Sequence, residues 1–234
     1  MSDIASEKPV KRSWTRFFRF QFSVRTMLLA MLVAGPATFA WYKFLEPYRR
    51  DMEVVNRVLD LKGGYVLETQ APAWAISLFG EKHFQRVVAI SLKGNQLKDE
   101  DLRFLGQATN LRSLTIMRCN RLSEDAARPL KKLPQLTEQT LMFPISRKTL
   151  PTIGKMKKLR VLVLYRANVN GDELAPLADL KELEKVTLVG RNLHLNDYGF
   201  EHLSELPKLN EVILRTITLR GAGVKRFQKE RRQR

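Results

Sequence analysis

Three histidines, one cysteine and one acidic cluster are the residues of this sequence whose types could do chemistry. His83, His194 and His202 would serve as general bases or metal ligands, Cys119 as a nucleophile or soft ligand, and Asp99, Glu100 and Asp101 as an acid–base pair or cation site. Their spacing assembles none of these. The histidines fit no zinc signature, no histidine is close to Cys119 in sequence, and a single cysteine excludes both a disulfide framework and a multi-cysteine metal site. The acidic triplet stands at a strand-to-helix junction, where helix capping accounts for it. The GAG at 221–223 lacks the third glycine and the preceding strand of a dinucleotide fingerprint, and no phosphate-binding G-x-x-x-x-G-K-[ST] occurs. No catalytic residue, metal or cofactor is expected, and the chain reads as a non-enzyme.

What remains is charge and pattern. The 234 residues carry 41 Lys+Arg against 24 Asp+Glu, a formal net charge of +17, with 44% hydrophobic residues, too many for a wholly disordered chain. The excess lies at both ends and moderately through the body, while 46–86 is balanced. Such a chain attracts phospholipid head groups, nucleic acid and acidic polymers alike, so charge nominates partners without ranking them.

Residues 1–25 are basic and aromatic, with Trp14, Phe17, Phe18, Phe20 and Phe22 interleaved with Arg12, Arg16, Arg19 and Arg25. Such a segment would lie at an anionic head-group surface. From Thr26 to Tyr42 no charge interrupts TMLLAMLVAGPATFAWY, and a transmembrane helix is expected over 26–45. Trp14, Arg19, Arg25, Trp41, Tyr42 and Lys43 are its interface residues, through snorkelling cations and aromatic-belt positions. A cleaved signal peptide competes with a retained anchor, given the basic start and the small residues Gly35, Ala37 and Ala40. A buried helix is disfavoured by Pro36 and by apolarity on all sides. Six Lys/Arg in 8–25 against four in 43–60 favour a cytoplasmic amino terminus in a bacterial inner membrane, with the larger domain outside the cytoplasm.

Residues 46–86 read as linker and amino-terminal cap: an amphipathic helix in DMEVVNRVLDL stopped by Gly63-Gly64, a strand YVLET, and apolar helical turns in AWAISLFGEKHF. Behind them a pattern L-x-x-L-x-L starts at Val87, Leu111, Leu136, Leu159, Leu183 and Leu209, at intervals of 24, 25, 23, 24 and 26 residues. Only the third unit breaks it, with Gln139 at its fourth position. Each unit then supplies apolar residues at helix-like spacing, such as Leu174, Leu177 and Leu180. Units of this size cannot bury an apolar face alone, so they must stack on one continuous core.

Segments such as LRSLTIMRCNRLSEDAARPLKKLPQ and LRVLVLYRANVNGDELAPLADLKE resemble leucine-rich repeats over 87 to about 227, leaving 228–234 as a basic tail. With its amino-terminal segment, the whole chain resembles the short single-pass membrane-anchored leucine-rich-repeat proteins of planctomycete bacteria. That resemblance implies an α/β solenoid of about six repeats, with a curved parallel sheet on the concave side and short helices on the convex side. It also implies a binding or scaffolding role. The family's inward-facing ninth position is matched by Asn95 and Cys119 and departs at Pro144, Ala167, Arg191 and Ile217.

With the leucines pointing inward, the third, fifth and seventh positions face the concave side. The seventh reads Lys93, Met117, Met142, Tyr165, Val189, Arg215, and the eighth adds Arg118, Phe143 and Arg166. Met, Tyr, Phe and Arg are enriched at protein interfaces, so Met117, Arg118, Met142, Phe143, Tyr165 and Arg166 form the expected contact patch for a protein partner. The competing reading is a merely stiff β surface, on which Val161 and Val163 follow from strand preference. The alternative function is polyanion binding, to nucleic acid or an anionic envelope polymer, by the basic body and the tail residues Lys225, Arg226, Lys229, Arg231, Arg232 and Arg234. Only Phe227 interrupts that tail, too little for base stacking.

Overall fold

A computed structural model describes residues 23–40, 42 and 46–219. The chain divides into two compact units, Met1–Trp41 and Tyr42–Arg234.

The described part of the first unit is helix α1, Val24–Ala40. Its 17 residues rise about 25 Å, short of the ~30 Å core of a bilayer. Among the described residues no helix is long and apolar enough to cross a membrane, so the expected transmembrane helix over 26–45 is not found there. Of its expected interface residues, Trp14, Arg19, Trp41 and Lys43 lie outside the described residues, while Arg25 and Tyr42 are exposed.

The second unit begins with helix α2, Glu46–Asp60, whose apolar positions Val54, Val55 and Val58 recur at helical spacing and are buried. The helix gives way at Lys62, held at φ 53°, and Gly63, where a Cβ would press on Leu92 and Val58. Strand β1, Gly64–Thr69, follows, then helix α3, Ala73–Phe79, entered behind Pro72. The repeats supply β2 (Gln85–Lys93), β3 (Ser113–Met117), β4 (Glu138–Ile145), β5 (Val161–Ala167), β6 (Lys185–Leu195) and β7 (Glu211–Leu219). All seven form one sheet in chain order; β1 is antiparallel to β2 and every later pair is parallel.

The return path between parallel strands needs a crossover, and each repeat makes it with one short helix. These are 3-10 helices at Asp99–Gln107, Glu124–Lys132 and Gly171–Asp179, and the α-helices α4 (Leu150–Ile153) and α5 (Asp197–Ser204). Pro129 and Pro176 fall inside two of the 3-10 segments, where a missing N–H favours tight turns over a continuous α-helix. Between sheet and helices runs one core. The first, fourth and sixth positions of successive repeats stack in it, as in Leu111, Leu114, Ile116 and Leu159, Leu162, Leu164, all fully buried. Each such side chain contributes about 1.5–3 kcal/mol of burial, and none could do so without the neighbouring repeat.

The third repeat departs from its neighbours. Gln139 aligns with Leu114 on β3 and Leu162 on β5, is 1% exposed, and its amide oxygen and nitrogen have no hydrogen-bond partner. The register between β4 and β5 slips by one residue between Met142 and Ile145, around Pro144. A proline cannot donate to the ladder and is tolerated at such a bulge.

Candidate functional site

The open face of the sheet is set by register. Ala89, Ser113, Glu138, Val161, Lys185 and Glu211 lie side by side, as do Ser91, Thr115, Thr140, Val163, Thr187 and Ile213. In the seventh column Lys93 pairs with Met117, Met142 with Tyr165, Tyr165 with Val189, and Val189 with Arg215. Met117, Met142 and Tyr165 are half-buried, unlike the leucines on either side of them in sequence. Between β3 and β4 the backbone N–H of Arg118 points at the Met142 sulfur, 3.3 Å away.

The eighth position turns the chain out of the sheet. Arg118 and Arg166 do this with φ of 57° and 58°, and both side chains are exposed. Gly94 takes the same role in the first repeat with φ 142°. Phe143 does not: it is fully buried, which corrects its expected place on the contact surface. The strand continues through it to Ile145 in unbroken alternation, which buries Phe143 on the same side as Gln139 and Leu141. In the fifth repeat Gly190 occupies this position because β5 passes too close for anything larger; a Cβ there would sit 2.0 Å from the Ala167 carbonyl oxygen.

The ninth position is inward at Cys119 and Ala167 but not at Asn95, which is exposed. Ile145, rather than Pro144, fills it in the third repeat. The Cys119 thiol donates to the Met117 carbonyl at 3.2 Å, and burial pushes its pKa up. It is a packed thiol, not an activated one.

The other candidate chemical groups stand apart. His83 meets Tyr48 edge to face at 5.6 Å, and His202 is on α5. Asp99 binds the backbone N–H and hydroxyl of Ser123, and Asp101 accepts the Lys98 N–H at 3.0 Å and lies 3.7 Å from Arg57. Among the described residues no group of three His, Cys, Asp or Glu side chains could hold a metal ion.

One polar feature has no sequence signal. Asp51, on α2, is 2% exposed and accepts the Val87 N–H at 3.3 Å beside the buried Arg86. Burial pushes its carboxyl up to about 6, against the opposing pull of that N–H, Arg86 and Arg50. The two line a cleft of about 330 Å³ with Arg50, Gln70, Gln107 and Asn110. Asp51 reads in the sequence as an ordinary polar position of an amphipathic helix, and only the packing of α2 on β2 buries it.

No protein-family model matches the chain, and no curated protein matches it in sequence. Solved structures do. An internalin from Listeria monocytogenes is 23% identical over 52% of this chain, with a TM-score of 0.43; the chain spans only 35% of that protein. The leucine-rich-repeat ectodomain of the receptor kinase SOBIR1 from Arabidopsis thaliana is 17% identical, with a TM-score of 0.48, over 73% of this chain and 96% of the ectodomain. At that level of likeness the fold rests on the chain's own register, in which six parallel strands recur every 23–26 residues with their leucines stacked inward. The architecture is a leucine-rich-repeat-like α/β fold with a parallel sheet and short helices.

Proposed function

We propose that this chain is a non-catalytic protein-interaction module that holds an unidentified protein partner on the open face of its repeat sheet. The observation carrying this reading is the row Met117, Met142 and Tyr165, half-buried on adjacent strands and bordered by the exposed Arg118 and Arg166. Half-exposed apolar side chains beside arginine are the composition of interface cores. The fold alone does not dictate the role, because one scaffold hosts many functions. The test is partner capture by the full chain carrying Met142→Ala with Tyr165→Ala, with circular dichroism to show that the array stays folded. Capture is expected to fall at least tenfold; capture unchanged in a folded double variant ends the proposal.

Attachment to a membrane is the second element of the reading. It is supported by α1, whose Val24, Met27, Leu28, Met31, Leu32 and Phe39 are 51–73% exposed, and by the basic, aromatic stretch before it. The excess of Lys/Arg in 8–25 supports a cytoplasmic amino terminus, with the repeats on the other side of a bacterial inner membrane. Protease protection of a carboxy-terminal epitope tests this: cleavage in spheroplasts but not in inverted vesicles supports it, and the reverse pattern overturns the orientation. Recovery of the chain in the wash fraction of membranes overturns the attachment. The tail proposed for polyanion binding, 225–234, lies outside the described residues.

A further inference from the structure

Granted that the open face is the one used, the chemistry of its partner follows from how charge is arranged at the two ends of the strands. Where the strands begin, charges are paired across repeats: Arg112 with Glu68 at 2.6 Å, Arg160 with Glu184 at 2.7 Å and Lys185 with Glu211 at 2.7 Å. Where they finish, Lys93, Arg118, Arg147, Lys148 and Arg166 are exposed and enter no ion pair among the described residues. Several carboxylates in the turns beyond are already engaged, while Glu100 and Glu124 enter no ion pair among the described residues. Asp99 holds Ser123, Asp101 the Lys98 N–H and Arg57, Asp125 pairs with Arg128, and Glu173 accepts the Asn170 N–H. Unlike the basic side chains where the strands begin, Arg118 and Arg166 are thus open to a carboxylate from outside the chain.

Two of these cations are placed with unusual specificity. Arg118 and Arg166 occupy the left-handed region, which favours glycine, at the same position of repeats two and four. Arg166 also reaches across the third repeat, where its Nη1 donates to Asn120 Oδ1 at 3.1 Å, two residues from Arg118. Both guanidinium groups thus belong to the end of the sheet that carries Met117, Met142 and Tyr165. Arg118 and Arg166 leave the sheet two strand spacings apart, about 10 Å, which an extended peptide covers in roughly three residues, and the lean of Arg166 toward Asn120 brings the guanidinium groups closer than that.

We infer that this end of the open face takes an acidic segment of a partner protein, with carboxylates two to four residues apart on Arg118 and Arg166 and an apolar side chain between them on Met117, Met142 and Tyr165. Guanidinium groups bind carboxylates in bidentate pairs, and an apolar platform between them adds discrimination against charge alone.

Fluorescence anisotropy on the full chain in detergent tests this with synthetic peptides in a Ser/Ala background. One carries Glu-Ala-Leu-Ala-Glu, a second has the leucine replaced by serine, and a third has both glutamates replaced by lysine; polyglutamate and a thymidine oligonucleotide report charge alone. The acidic–apolar peptide is expected to bind at least tenfold tighter than all the others, and to lose that margin in Arg118→Gly with Arg166→Gly. Arg118→Gln with Arg166→Gln repeats the test with side-chain bulk kept. Equal binding of the lysine peptide, polyglutamate or the oligonucleotide overturns the inference, as does no binding of the acidic–apolar peptide or an unchanged margin in both arginine pairs. If partner capture falls with Met142→Ala and Tyr165→Ala but not with the arginine pairs, the interaction surface stands and the acidic partner does not. If capture responds to neither, both fall.

Discussion

The guanidinium of Arg166, in β5, donates to the side-chain carbonyl of Asn120, just beyond β3, across 46 positions of sequence and one whole repeat. Neighbouring repeats in a solenoid normally contact only each other. The exception coincides with the repeat that departs from the pattern: at the position matching Arg118 and Arg166, β4 presents Phe143, which turns inward. No outward side chain stands at that position between the two arginine-bearing strands.

The same repeat carries a removable defect. Gln139 interrupts a column of Ile90, Leu114, Leu162 and Val186, with both polar atoms of its amide buried and unbonded. Leaving such a group unpaired costs about 1–3 kcal/mol. Gln139→Leu is expected to raise stability by that amount, a gain of several degrees in Tm by scanning calorimetry. A lower Tm would mean that the amide has a partner.

Acidification should act on Asp51 in the unusual direction. Its folded-state carboxyl titrates at about 6 against an ordinary 3.8, so the folded chain holds the proton more tightly than the unfolded one. Its contribution to stability therefore rises as pH falls from about 6.5 to about 4, by a gain on the order of 1–3 kcal/mol, and levels off below. Urea midpoints at pH 7, 6, 5 and 4 for the native chain and Asp51→Asn check this: the difference between them should shift steadily toward the native chain on acidification. A constant difference refutes it.

Arg118→Gly should stabilise the fold while emptying the proposed contact. At φ 57° an arginine strains the backbone where glycine does not, and the relief is about 0.5–1 kcal/mol after glycine's greater unfolded-state freedom is subtracted. Chemical denaturation reads the gain directly. A loss of stability would show that the Arg118 side chain supports the turn.

Gly190→Ala is the opposite case. A methyl group there would meet the Ala167 carbonyl oxygen at 2.0 Å, against backbone rather than a yielding side chain. The expected loss is about 3 kcal/mol, at the upper end of the usual cost of overpacking, or failure to fold. Normal expression with an unchanged urea midpoint would show that β5 and β6 can separate at little cost.

The repeats were legible because their signal is redundant. Six starts at one period, with apolar residues at fixed offsets in all but the third, specify which side of every strand enters the core, since period-two alternation leaves no freedom once the leucines are buried. The outward columns follow by subtraction, and Met117, Met142 and Tyr165 lie where that reasoning puts them. The capping role of Asp101 was legible from its place at a strand-to-helix junction, whereas Asp99 holds Ser123 of the next repeat, and the inward side chain of Cys119 matches what the family resemblance implied.

Where a strand stops alternating and turns is not written in the leucine pattern, and there the tertiary structure decided. Phe143 fell on the core side because β4 runs on through the eighth position in unbroken alternation, where repeats two and four turn out at left-handed Arg118 and Arg166, and Asn95 fell outside. Nothing local in the sequence distinguishes Asp51 from a solvated helix residue, or shows Arg166 spanning a repeat to reach Asn120. Local pattern determines which face of a strand is buried; long-range packing determines which polar groups are trapped with it and which charges are left unpaired at its ends.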